Sequence, residues 1–343
     1  YGKVGVENMY WETIYAENVK SLPMWVQKCT PDEILEFDSM EELKVYDKDF
    51  IANNRIKIFD NIEKVLKCDI SDIKDVEIVT KGLNNRSFKF LCDGNYYIYR
   101  HPGVNGSALI DRSKESKSLN TAKQLGIDNT LIYVNEHEGW KISKFFESTE
   151  DFDFSNKEHI KLLANKLKIL HESKVNVGFG FDYHIESDKL VEYLRVIDSI
   201  AYQNASELQK KMEIIFDDLD KDKWQVSLCH NDIYEPNILV NNDSLELIDW
   251  EFAGDSDIGF DICKLFSVLN PKESEIDEYL SFYYGRNTTL IEKKHLYACA
   301  AVIYCYWYIW GLFVSKNGNK ATDYLIPWHD KIIDFYSKFT KLN

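Results

Sequence analysis

The stretch from Val226 to Phe252, VSLCHNDIYEPNILVNNDSLELIDWEF, constrains this chain more than any other. Val226 to Cys229 is apolar enough to lead a buried strand into His230-Asn231-Asp232, and Ile238 to Val240 begins a second strand directly after Asn237. Asn241 to Ser244 supply the residue types of a tight turn. A third run, Leu245 to Ile248, alternates around Glu246 and delivers Asp249, so Asp232, Asn237 and Asp249 are expected at one end of a small hairpin. Two carboxylates and an amide so placed suit phosphoryl transfer, which asks for a base at the acceptor hydroxyl, oxygen ligands for magnesium and positive charge along the phosphates. Asp232 fits the base, and Asn237 and Asp249 offer oxygens to a hard cation. The same residue types more often serve as turn formers and caps. The strand that ends in Asp249 lifts the pattern above that use.

His230-Asn231-Asp232 with Asn237, followed by Leu247-Ile248-Asp249-Trp250-Glu251 and Phe260-Asp261-Ile262, resembles the choline/ethanolamine kinase family within the kinase-like antibiotic phosphotransferases. Protein kinases carry Arg where Asn231 stands and Phe-Gly after the metal Asp; Trp250-Glu251 is instead the small-molecule pattern. The resemblance implies an α+β, two-lobed protein-kinase-like fold, with a small antiparallel-sheet N-lobe and a mainly helical C-lobe. It also implies ATP and Mg2+ as cofactors, Asp232 as base, Asn237 and Asp249 as magnesium ligands, and supporting roles for Glu251 and Asp261.

Helical spacing of apolar residues over Asp49 to Cys68 leads into a first strand at Val76 to Thr80. Arg86 to Leu91 and Tyr96 to Arg100 are strand-like and joined through Asp93-Gly94, a strong hairpin signal. The turn Lys81-Gly82-Leu83-Asn84-Asn85 stands where kinases cover the nucleotide phosphates, which makes Asn84 and Asn85 candidate nucleotide contacts. Arg100 ends the third strand, the kinase position for the cation on the α- and β-phosphates, and its planar fork takes phosphate bidentately. A helix from about Asp111 to Leu125, stopped by Gly126, carries Glu115 as the partner of Arg100; outside a kinase, Glu115 would be an ordinary first-turn carboxylate. Strands at Leu131 to Asn135 and Trp140 to Lys144 precede Phe145-Phe146-Glu147, the expected hinge against which adenine sits.

Ser155 with Glu158 spells a capping box for a helix ending at His171, a core or cap histidine in preference to a catalytic one. Helices are expected at Ser187 to Ala201, Glu207 to Leu219, Lys272 to Tyr284 and Leu290 to Val314. In the last, Trp307 and Trp310 share a face with Tyr304 and Gly311, and Tyr324 follows the Asn317-Gly318 break. An aromatic stripe is ordinarily core. The resemblance, however, implies that this Trp-x-x-Trp and the Tyr beyond it line a choline pocket, where rings attract quaternary ammonium. Tyr234 and Glu251 join that candidate substrate set.

Lys plus Arg number 41 against 57 Asp plus Glu, a net charge of −16 that argues against nucleic acid or an anionic membrane surface as partner and suits a small cationic substrate. Seven scattered cysteines without metal spacing read as reduced thiols, and a cytoplasmic location is expected. Ala298 to Val314 is apolar enough to raise the question of a membrane span, but its tyrosines and tryptophans favour a buried helix. Residues 1–48 stand apart: Tyr10-Trp11-Glu12, Glu36-Phe37-Asp38-Ser39 and Glu41-Glu42-Leu43 are similar to the closing segment of phosphocholine-type cytidylyltransferases. They are either the tail of a second enzyme or an extension packed on the kinase. The expected organisation is thus 1–48 extension, 49–147 N-lobe and 148–343 C-lobe. The function implied is a choline kinase giving phosphocholine, with ethanolamine kinase, aminoglycoside kinase or an inactive binding module of the same fold as alternatives.

Overall fold

A computed structural model describes residues 57–79, 85–102, 111–148, 150–221, 224–269, 271–316 and 322–342. The similarity noted for residues 1–48 falls outside them, as do Asn84 and the side chain of Asn85. Residues 61–343 form one compact unit.

After α1 (Lys57–Leu66) come β1 (Lys74–Val79), β2 (Asn85–Cys92), β3 (Asn95–Pro102), α2 (Arg112–Gln124), β4 (Leu131–Val134) and β5 (Lys141–Lys144). The strands form one antiparallel sheet in the order β1-β2-β3-β5-β4. Asp93 and Gly94 have φ of 48° and 74°, the two left-handed residues that a tight hairpin between twisted strands requires. Strand alternation then sorts β3. Tyr99 stacks with Phe88 and Trp140 and accepts a hydrogen bond from Asn61, while Arg100 points to the opposite face, toward α2. Asp111 caps α2 by accepting from the N–H groups of Ser113 and Lys114, and Gly126 at φ 70° ends that segment.

The rest is mainly helical: β6 (Glu150–Asp151), α3 (Lys157–Glu172), α4 (Tyr183–Ile197), α5 (Ser199–Lys221), β7 (Val226–Cys229), β8 (Ile238–Asn241), β9 (Ser244–Leu247), β10 (Gly254–Asp257), α6 (Gly259–Ile262), α7 (Lys264–Ser267), α8 (Glu273–Tyr284), α9 (Leu290–Lys316) and α10 (Thr322–Lys341). Three expectations change. The cap of α3 is Asn156, which accepts from the Glu158 N–H at 3.0 Å, because the Ser155 hydroxyl is already donated to Asp153. Asp182 caps α4, which starts at Tyr183, four residues ahead of the expected Ser187, and α5 begins at Ser199 rather than Glu207. Finally, β7 stays out of the β8–β9 hairpin and pairs antiparallel with β10.

The most apolar stretch of α9 has a mean hydropathy of 1.5, and 61% of it is buried by the surrounding protein. Its tyrosines find partners there: the Tyr304 hydroxyl donates to the Ser267 carbonyl at 2.7 Å. This matches the core helix that the aromatic content favoured.

Gly254 is where two backbones nearly touch. A Cβ at that position would sit 2.9 Å from the Phe181 nitrogen and 3.0 Å from the Gly180 carbonyl carbon, beside the Gly180–Asp255 bridge. Backbone cannot give way as a flexible side chain does, so Gly254→Ala is expected to lower stability by about 1–3 kcal/mol in urea unfolding. Wild-type stability in that variant would mean that the close approach is not required.

Candidate active site

Asp261 is wholly buried in α6 and organises the loop between β7 and β8. Its carboxylate accepts the N–H groups of His230 at 2.8 Å and Asn231 at 2.9 Å, and lies 3.2 Å from His171 Nε2. Burial works to raise its pKa, but these donors hold it below the usual carboxylate value. His230 carries the tie onward. Its Nε2 donates to the Ile248 carbonyl at 2.9 Å and its Nδ1 accepts from the Asp232 N–H at 3.3 Å, a pattern that only the neutral Nε2–H tautomer satisfies. Burial lowers its pKa in the same direction.

Asn231 and Asp249 sit at φ 63° and 67°, left-handed conformations that Asn and Asp tolerate better than most residues and that aim the neighbouring side chains. Asn231 is pinned by the Tyr183 hydroxyl, which donates to its carbonyl at 2.7 Å, and its Nδ2 donates to the Phe252 carbonyl at 3.1 Å. Asn237 reaches back, donating from Nδ2 to the Asp232 carbonyl at 3.0 Å and to Asp232 Oδ2 at 2.9 Å. Its amide nitrogen is thereby spent, which leaves the amide oxygen for another partner. On the far side of the hairpin Arg100 bridges two carboxylates, bonding Glu115 through Nη2 and Asp249 through Nη1. Arg112 holds the second oxygen of Glu115 at 2.7 Å.

The cluster is short of positive charge. Burial, then the Asp249 carboxylate, push Asp232 up to about 7 against the pull of Lys264 and the Asn237 hydrogen bond. Burial and Asp249 likewise push Glu251 up to about 8, and Glu251 Oε2 is buried without a hydrogen-bond partner among the described residues. Asp249 is the exception: burial favours its neutral form, but Arg100 and Lys141 outweigh that and hold it at about 2. Three neighbouring buried carboxylates beside an amide oxygen make a hard, electron-rich donor set that fits a divalent cation such as magnesium.

The structure therefore brings Asp232, Asn237, Asp249, Glu251, Arg100 and Glu115 together. Tyr234 is 42% exposed beside them, its hydroxyl pushed up by burial and by Asp232 and Asp249. The ring of Phe145 packs edge-on against Tyr96 with Lys89 over both, and its N–H donates to the Tyr96 carbonyl at 2.8 Å. Trp307 and Trp310 meet edge to face at 5.5 Å, and Trp307 meets Phe252 at 5.6 Å. Tyr304 and Gly311 leave this set: Tyr304 stacks on Phe335 and Gly311 lies under Leu325 and Trp328, both on the α10 side of the helix. Tyr324 is 59% exposed and stacks on Trp328, 5.4 Å away.

Three cations escaped the sequence reading: Arg112, which pairs with Glu115, and two buried lysines. Lys141 stands directly opposite Arg100 in the β3–β5 register and is buried; its only local signal was a charged residue between the apolar Trp140 and Ile142. Lys264 is buried near Asp232, three residues after Asp261, and nothing in its local sequence marks it.

A family model described as choline/ethanolamine kinase matches residues 76–274. Protein LicA of Haemophilus influenzae is 24% identical over 262 residues, covering 71% of this chain and 75% of its own. Among solved structures, choline kinase LicA from Streptococcus pneumoniae superposes with a TM-score of 0.67 at 22% identity, covering 81% of this chain and 99% of its own. An ethanolamine kinase from Plasmodium vivax gives 0.66 at 17% identity, covering 97% of both chains. The expected two-lobed kinase-like fold is the fold observed.

The raised carboxyls set a pH signature. Because Asp232 and Glu251 hold protons more tightly folded than unfolded, their contribution to stability is full below about pH 4 and is lost as pH rises through about 7 and 8. Asp249 has the opposite sign, contributing above about pH 4 and failing toward 2. Glu251→Gln removes one buried charge, so its unfolding midpoint without metal or nucleotide should exceed wild type at pH 9 and match it at pH 4. Calorimetry showing no gain at pH 9 would refute the crowding of these carboxylates.

Proposed function

The chain belongs to the choline/ethanolamine kinase family, and from that premise we propose that it transfers the γ-phosphate of ATP to the hydroxyl of choline, giving phosphocholine. The observation that carries the acceptor is Phe252: its carbonyl takes Asn231 of the catalytic loop and its ring takes Trp307, so the ring pair is coupled to the loop that bears Asp232. The choline kinase among its structural neighbours supports the same acceptor.

In this reading Asp232 takes the proton of the attacking hydroxyl; a carboxyl poised at about 7 is neither too weak a base nor too strongly protonated near neutral pH. Asn237 Nδ2 aims it, and His230 and Asp261 fix the backbone behind it. The Asn237 amide oxygen and the Asp249 carboxylate would hold magnesium, which supplies positive charge for the phosphates. Arg100, now bonded to Glu115 and Asp249, would keep Glu115 and present its fork to the α- and β-phosphates, with Asn84 and Asn85 covering them. The backbone after Phe145 would take the adenine, with residues 49–147 and 148–343 as the lobes on either side. Trp307 and Trp310 would receive the trimethylammonium head, within the field of Glu251 and Asp232, with Tyr234 and Tyr324 at its margin.

An ATP-consumption assay across choline, ethanolamine and aminoglycosides tests the acceptor, and silence on all of them would leave a binding module. Asp232→Asn should lower kcat by about 10²- to 10⁴-fold with ATP binding nearly intact. Near-normal turnover would remove Asp232 from its role. Changing Trp307 or Trp310 to Leu keeps apolar bulk but removes most of the ring quadrupole, worth about 1–2 kcal/mol. The KM for choline should rise roughly five- to thirty-fold with the KM for ATP little changed, and ethanolamine should suffer less. Equal loss for both acceptors, or lost stability with KM unchanged, would return these rings to the core.

A further inference from the structure

Deeper along α9 than the tryptophans lies a second polar cluster that phosphoryl transfer does not use. His295 and Cys299 stand one turn apart on α9, both buried, and Asp257 at the end of β10 meets them. Asp257 Oδ2 lies 2.8 Å from His295 Nε2, and one donor atom from each of the three residues falls within 4.8 Å of the other two. Gly259 makes the room. A Cβ there would sit 2.8 Å from Cys299 Sγ and 3.0 Å from both Asp257 Oδ1 and His295 Nε2, so the three donors already surround one small space that only glycine leaves open.

The donors are also held in place. The His295 ring lies flat on Trp224, with 4.0 Å between centroids and 13° between planes, and Asp257 Oδ1 accepts the Gly259 N–H at 2.7 Å. The Tyr284 hydroxyl is buried without a hydrogen-bond partner among the described residues, close enough to Asp257 and Cys299 to feel their charge. One sulfur, one imidazole and one carboxylate make a borderline donor set, too soft for magnesium or calcium and matched to Zn2+ and its neighbours. Bond lengths of about 2.0–2.3 Å place tetrahedral ligands roughly 3.3–3.8 Å apart, so the Asp257–His295 contact would open by about half an ångström on binding.

We propose that Asp257, His295 and Cys299 form a transition-metal site, matched by its donors to Zn2+, that clamps β10 to α9. Its place in the fold gives the clamp a use. β10 pairs with β7, which runs into the catalytic loop, and α9 carries Trp307 about 18 Å beyond His295. A metal here fixes the helix that bears the ring pair against the sheet that bears the base. The site does not depend on which acceptor the enzyme takes.

The test uses the whole chain, reduced, stripped with a chelator and free of nucleotide, titrated with Co2+. One equivalent should bind with the intense visible bands of four-coordinate cobalt and a near-ultraviolet thiolate-to-cobalt band, and Zn2+ should displace it; Mg2+ should produce neither. Cys299→Ser should abolish the thiolate band and His295→Gln should weaken binding by about tenfold or more, with ATP turnover retained in both. Absence of the thiolate band in wild type would overturn the proposal and leave a buried Asp–His pair beside an inert thiol. A band that survives Cys299→Ser would overturn it by placing the metal on another cysteine. The wild-type titration needs no variant, so a substitution that fails to fold does not shelter the idea.

Discussion

The buried carboxylate of Asp261 is the interaction on which the site depends. A charge wholly removed from water is tolerated only if donors replace its hydration, and here two consecutive backbone N–H groups and His171 do so. The same bonds force the His230–Asn231 turn, including a left-handed Asn231, and so decide where Asp232 points. His230 then fastens that turn to Ile248, one residue before Asp249. Base and metal-ligand candidates, seventeen residues apart, are thereby held by one network in which each member fixes the next.

Burial and a shortage of cations set the electrostatics of the site. Arg100 is shared by Glu115 and Asp249, while burial, and then the Asp249 carboxylate, make Asp232 and Glu251 hold protons more tightly. The arrangement is costly because the groups are buried, and the arrival of a divalent cation and a polyphosphate would exchange these internal pairs for external ones. Two buried lysines, Lys141 and Lys264, sit on opposite flanks of the cluster, one acting on Asp249 and the other on Asp232. The net acidity of the chain thus coexists with a pocket in which cations are placed one by one.

Aromatic contacts give the other half of the site its continuity. Phe252 is bonded through its backbone to the loop that carries Asp232 and through its ring to Trp307, and Tyr306 packs behind Trp307 onto Tyr183, which itself bonds Asn231. Because aromatic pairs hold preferred angles, this chain of rings transmits position as well as burying area.

The β8–β9 hairpin, its turn and the Asp93-Gly94 hairpin were legible in the sequence, because short-range backbone preferences and strand alternation act on contiguous residues. Arg100 and Glu115 were legible only through their order along a kinase-like chain. Tertiary structure alone decided the rest. β7 skips its neighbouring hairpin and pairs with β10, because β8 already has β6 on one side and β9 on the other. Asn156 displaced Ser155 as a cap because Asp153 competes for the hydroxyl. Tyr304 and Gly311 turned to α10 while Trp307 turned to Phe252, a split that helical periodicity cannot make when every face of α9 is apolar. Lys141 opposite Arg100, and Asp257 against His295 and Cys299, are meetings between segments far apart in the chain. No local pattern encodes them; the packing of the two elements that carry them does.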